Sequence, residues 1–190
     1  ALPQGPEPCG RASKISVWHL PIFPHRPPPT GLPVTVQISI FQGGEAFSPF
    51  KTQRLLQTLQ QIAPSISGLT VKEVFLVGTV KPLSPADTQR MERLLDATAS
   101  TPTTPAANEV AWWVSPRLGT VSPWASKASD IARNCGFAAQ RIERLIEYRL
   151  ETLQPLTQAQ TQALQAQLHD RMTESAMRYS FAPPVPFSPS

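Results

Sequence analysis

Cysteine is scarce: Cys9 and Cys135 are the only two in 190 residues, too few for a disulfide framework, so a reduced, cytoplasmic setting is expected. Histidine is as thin. His19, His25 and His169 are scattered, and no spacing of His, Cys, Asp or Glu resembles a metal-ligand set. No apolar run approaches the ~18 residues that would span a membrane. The start shows no charged flank, apolar stretch and small-residue cleavage site of a secretory signal. Net charge is only +4, and the basic residues are interspersed with Glu and Asp, so nucleic acid is not an expected partner. No glycine-rich phosphate loop follows an apolar run, which argues against a doubly wound nucleotide-binding fold, and Gly119 alone reads as a turn residue.

What is abundant is proline, and its placement is uneven. Nine of the 22 prolines lie in the first 33 residues and four in the last eight, so both ends are poor in backbone donors and unsuited to helix or central strand. Residues 1–33 read as a proline-rich disordered tail. The middle is 41% hydrophobic over the whole chain, enough for a core in one domain with appendages or in two small ones. The expected division is an α+β domain over 34–152 and a helical linker with a proline-rich end over 153–190.

Order is expected from Val34, where Val34, Val36, Ile38 and Ile40 alternate with polar residues as in a half-buried strand, broken at Gly43 and Gly44. Ser48 and Pro49 open a helix with Leu55, Leu56, Leu59, Ile62 and Ala63 on its apolar stripe. A strand follows over 69–80. Ser84 and Pro85 start a second helix with Asp87 at the capping-box position and Met91, Leu94 and Leu95 inward. Residues 97–107, rich in Thr, Ala, Ser and Pro, read as a surface loop.

The chain is organised around the next stretch. Val110-Ala111-Trp112-Trp113-Val114 reads as a buried strand. Ser122 as N-cap, Pro123 at the first helical position and Gly136 as terminator then punctuate a three-turn helix. Helical spacing puts Trp124, Ala128, Ile131 and Cys135 on its packing side and Ser126, Lys127, Asp130, Arg133 and Asn134 on the other. Cys135 therefore reads as a core residue and not as a nucleophile. Residues 141–150 fit both periods, and the short connection after Gly136 favours a strand. Thr157 with Gln160 makes a capping box, and Ala159, Ala163, Leu164, Leu168 and Met172 follow at helical spacing.

The run PRLGTVSPWASKASDIARNCG, residues 116–136, together with Leu168-His169-Asp170-Arg171-Met172-Thr173-Glu174, resembles the N-terminal domain of the large single-chain phosphoribosylformylglycinamidine synthases. The likeness extends from roughly Val34 to Met172 and is specific because a long run of ordinary residues in fixed order is hard to meet by chance. It implies a fragment of a longer ATP-dependent glutamine amidotransferase ligase of purine biosynthesis, as does the start at Ala1. ATP and magnesium are then expected in the full-length enzyme, with no cofactor and no catalytic residue in this piece. The expected partners are the synthetase and glutaminase domains of the same chain.

Four helices against an antiparallel or mixed sheet make an α+β two-layer sandwich. The resemblance implies a ferredoxin-like duplicated module followed by a helical linker. The candidate contact surface is Arg117, Thr120, Ser122, Ser126, Lys127, Asp130 and Asn134: a helix N-terminus with hydroxyls and cations fits a phosphate, and the same surface fits a docking domain. His169, Asp170 and Arg171 are candidates for fixing the linker by charged hydrogen bonds. A free-standing ferredoxin-like regulatory or ligand-binding module is the alternative reading, because fold does not name function.

Overall fold

Ten elements alternate along the chain: β1 (Gln37–Glu45), α1 (Pro49–Ile62), β2 (Ile66–Thr79), α2 (Pro85–Leu95), β3 (Thr98–Ser100), β4 (Glu109–Pro116), α3 (Pro123–Asn134), β5 (Ala139–Thr152), α4 (Gln158–Leu168) and β6 (Glu174–Tyr179). They are taken from a computed structural model that describes residues 36–179 except 102, 118 and 119. The expected tail at 1–33, with Cys9, His19 and His25, and the proline-rich end from 180 lie outside the described residues.

The sheet is six-stranded, in the order β3-β1-β2-β5-β4-β6, and every pairing is antiparallel. The order is symmetric in an instructive way. Each half of the chain reads β-α-β-α-β, and the two halves meet at the 14-residue strands β2 and β5, which pair from Ile66↔Thr152 to Thr79↔Ala139. The fold is an α+β two-layer sandwich of ferredoxin-like type, internally duplicated.

Strand alternation sorts side chains onto two faces. Val71, Phe75 and Val77 of β2, Ile142, Tyr148 and Leu150 of β5, and Val110, Trp112 and Val114 of β4 join the helices in two clusters. One holds Leu59 and Ala63 at the end of α1 with Leu164 and Leu168 of α4. The other holds Met91 of α2 and Ala132 of α3, where Trp124 stacks on Phe75 at 5.6 Å between ring centres. All four helices thus cover one face. The intervening side chains Val74, Leu76, Ala111, Trp113 and Leu145 form a third cluster on the other face.

Capping follows the sequence signals. Ser48, Ser84 and Ser122 each accept a first-turn N–H with Pro at the first helical position, and Thr157 forms a reciprocal capping box with Gln160. Gly136 takes φ +83°, the left-handed value that only glycine adopts without strain.

Several expectations are corrected. Residues 97–107 are not all loop, because β3 pairs with β1 through Phe41↔Ala99. The last helix stops at Leu168, leaving Met172 exposed, and β6 then pairs with β4. Gly43 and Gly44 do not end the first strand; the register shifts between Gln42 and Glu45 and pairing resumes. Gly43 is needed there because a Cβ would lie 2.9 Å from the Phe75 ring. Leu94 is exposed although Met91 is fully buried. The inward face of α3 is Ala125, Ser129 and Ala132, while Ile131 and Cys135 are exposed. Small residues win that face because they let the helix backbone approach β5.

Candidate functional site

The site grows from the end of β4. Beyond Pro116, the Arg117 N–H donates to the Thr173 carbonyl at 2.9 Å, so strand pairing runs on into the turn after α4. Thr120 then folds the chain back: its N–H and its hydroxyl both donate to the Arg117 carbonyl, at 3.1 and 2.6 Å. Two residues later Ser122 caps α3 by accepting the Ala125 N–H at 3.0 Å.

The turn is tied to the sheet from beneath. Arg141, at the start of β5, donates through Nη2 to the Thr120 carbonyl at 2.9 Å and through Nε to Glu143 Oε1 at 2.7 Å, with a second, shorter contact from Nη2 to the same oxygen. The Glu143 side chain is only 3% exposed, and its Oε2 has no hydrogen-bond partner among the described residues. Burial raises the Glu143 pKa above the ordinary 4.5, against the lowering effect of Arg141.

The opposite wall is the turn from His169 to Glu174. His169 Nδ1 lies 2.6 Å from the Gln165 carbonyl, an acceptor, so that nitrogen carries the proton. Asp170 organises the turn: its Oδ1 accepts the Met172 N–H at 2.8 Å, its carbonyl accepts the Glu174 N–H at 2.7 Å, and its own N–H donates to Glu174 Oε2 at 2.9 Å. Arg171 is exposed beside it.

The structure therefore joins two candidate groups that lie far apart in sequence. Arg117, Thr120 and the turn holding Asp170 and Arg171 share one end of the sheet. Ser126, Lys127, Asp130 and Asn134 continue from that corner along the exposed side of α3. Asp130 pairs with Arg133 at 3.2 Å and not with Lys127; at such exposure the pair is worth well under ~1 kcal/mol. His169 and Asp170 make hydrogen bonds inside their own turn.

Sequence reasoning missed Arg141 and Glu143 as parts of the site. The available signal was the charge order: Arg141-x-Glu143 and Glu147-x-Arg149 put opposite charges two residues apart on one face, as ion pairs require. Among the described residues no group of three or more His, Cys, Asp and Glu side chains is placed to hold a metal ion. No described helix is long and apolar enough to cross a membrane.

Fold and corner together define a duplicated ferredoxin-like sandwich with a braced polar corner at one end of its sheet. Residues 72–183, more than half of the chain, match the family model of the formylglycinamide ribonucleotide amidotransferase N-terminal region. The chain belongs to that family. Membership supports a role in formylglycinamide ribonucleotide amidotransferase, within purine biosynthesis, and points to other domains of the same polypeptide as its neighbours.

Proposed function

We propose that this chain is the N-terminal structural and coupling module of a phosphoribosylformylglycinamidine synthase, whose full-length form makes formylglycinamidine ribonucleotide from formylglycinamide ribonucleotide, glutamine and ATP. In this reading the synthetase and glutaminase domains carry the chemistry in the cytoplasm. ATP and magnesium belong to them in the same reading. The module's part is to hold the two domains in register.

The observation that carries the reading is the braced corner. Arg117 stands in solvent at a turn tied down by Thr173 and Arg141, and Lys127 and Asp130 stand in solvent on the adjoining α3. A surface that is already ordered loses little entropy on docking, which is what a permanent domain contact needs. The test is made in the full-length enzyme. Arg117→Ala with Lys127→Ala is expected to leave glutamine hydrolysis running while amidine formation falls about tenfold, the equivalent of ~1.4 kcal/mol of lost contact. Equal loss of both rates, or saturable heat when the isolated chain is titrated with the ribonucleotide substrate, would replace docking by ligand binding.

A further inference from the structure

The two edges of the sheet differ. β3 ends one side with three residues, whereas β6 ends the other with six, paired to β4 without a register shift. Strand edges are ordinarily blunted by proline, lysine, a bulge or brevity, because unpaired N–H and C=O groups invite another strand. β6 has no proline, lysine or bulge. The phase of its ladder says which groups face out. The Arg117 N–H donates to the Thr173 carbonyl, so Ser175, Met177 and Tyr179 bond to β4 in the same phase, and Glu174, Ala176 and Arg178 turn their backbone groups away from the sheet. Two of these groups are used locally: the Glu174 N–H donates to the Asp170 carbonyl at 2.7 Å, and the Ala176 carbonyl accepts Gln165 Nε2 at 3.0 Å. The Ala176 N–H, the Glu174 carbonyl and both backbone groups of Arg178 have no hydrogen bond among the described residues.

We infer that β6 pairs with β6 of a second copy of this chain, antiparallel about a twofold axis through Ala176. The strand is complementary to itself in that register. Centring on Ala176 places Glu174 opposite the second copy's Arg178 and Arg178 opposite its Glu174, so opposite charges meet twice. Moving the axis by one residue in either direction loses both pairings. At the axis each Ala176 N–H donates to the other copy's Ala176 carbonyl, whose second lone pair remains for Gln165. Each Arg178 N–H then donates to the other copy's Glu174 carbonyl.

The helix layer permits the approach. Gln165 reaches over the outer edge to Ala176, and helical spacing puts Gln158 and Gln162 on the same side of α4. α4 carries no charged residue at all. A twofold axis normal to the sheet keeps the helices of both copies on one face, so α4 of each copy presents amides, and no like charges, to the other.

The test uses the whole 190-residue chain in sedimentation velocity. A concentration-dependent dimer is expected by roughly 100 µM; a monomer throughout overturns the inference. Ala176→Pro removes the central donor at an edge position that tolerates proline, and is expected to abolish association with the urea midpoint little changed. Arg178→Glu sets like charges opposite each other and is expected to weaken association about tenfold at ~50 mM salt, and less at high salt. A dimer that either folded variant leaves intact uses another surface or register and overturns the inference. Register is read by oxidation in a Cys9→Ser, Cys135→Ser background. Ala176→Cys is expected to cross-link readily, since residues facing across the axis stand ~5.5 Å apart between Cα atoms, while Met172→Cys, exposed outside the strand, is not. Equal cross-linking at both positions, or none at 176, overturns it too. If Ala176→Pro does not fold, Arg178→Glu and the cross-link decide.

Discussion

The hydroxyl of Ser129 accepts the backbone N–H of Ile142 at 2.9 Å while donating to the Ala125 carbonyl at 2.7 Å, and both bonds are buried. One side chain thereby joins α3 to β5 close to the irregularity where pairing slips between Gly78 and Thr79. Ser129→Ala leaves the Ile142 N–H buried and unpaired, a cost of about 1–3 kcal/mol, offset in part by alanine's better helix propensity of up to ~0.5 kcal/mol. The expected net loss is about 1–2 kcal/mol, read from the urea midpoint at unchanged slope. Stability equal to the parent protein would show that water reaches this N–H.

The two faces of α2 should separate cleanly in the same assay. Met91 is 0% exposed among Phe41, Phe75 and Phe137, whereas Leu94 is 37% exposed. Met91→Ala is expected to cost about 2–5 kcal/mol through lost transfer energy and a cavity. Leu94→Ala should cost under ~1 kcal/mol. Similar losses at both positions would mean that the helix sits rotated from the position described.

Much of this architecture was legible in local chemistry. The Ser-Pro pairs at 48–49, 84–85 and 122–123 located three helix starts, and the Thr157/Gln160 box located the fourth, because caps are satisfied by neighbours in sequence. Edge strands are different. Thr98–Ser100 and Glu174–Tyr179 carry no alternating apolar pattern, and only their partners β1 and β4 make them strands. The inward face of α3 was hidden for a related reason: Ala125, Ser129 and Ala132 are weak hydrophobic signals, while Ile131 and Cys135 are stronger ones that remain outside. The corner was half legible. Its exposed residues sit in one short run, but the bracing by Arg141 and the contact with Thr173 arise from pairings across the sheet.

Gly43 and Gly44 offer a matched pair of substitutions. A Cβ on Gly43 would lie 2.9 Å from the Phe75 ring and 3.3 Å from the Glu73 Cβ, while one on Gly44 meets nothing within 4 Å. Phe75 has little room to yield because Trp124 stacks on it. Gly43→Ala is therefore expected to cost about 1–3 kcal/mol by overpacking. Gly44→Ala should be neutral or stabilising by a few tenths of a kcal/mol through the unfolded chain. Equal melting temperatures for the two variants would contradict the close approach.

Glu143 sets a pH dependence whose sign is fixed by its burial. Burial raises its pKa in the folded protein above the ordinary 4.5, and Arg141 offsets only part of that. The folded state therefore holds this proton to higher pH than the unfolded chain does, so stability falls as pH rises from about 4.5 through the raised value and returns on acidification. Glu143→Gln removes the titration, since the amide stays neutral throughout. The stability difference, variant minus parent, should grow with pH in that window at no more than about 1.4 kcal/mol per unit and then level off. Urea unfolding of both proteins between pH 4 and 8 measures it. Arg141→Ala, which takes away the opposing cation, should carry the loss to higher pH, because desolvation then acts unopposed. A difference independent of pH would mean that the Glu143 carboxyl is hydrated in the folded protein, and that the end of the sheet beneath Thr120 is open to water.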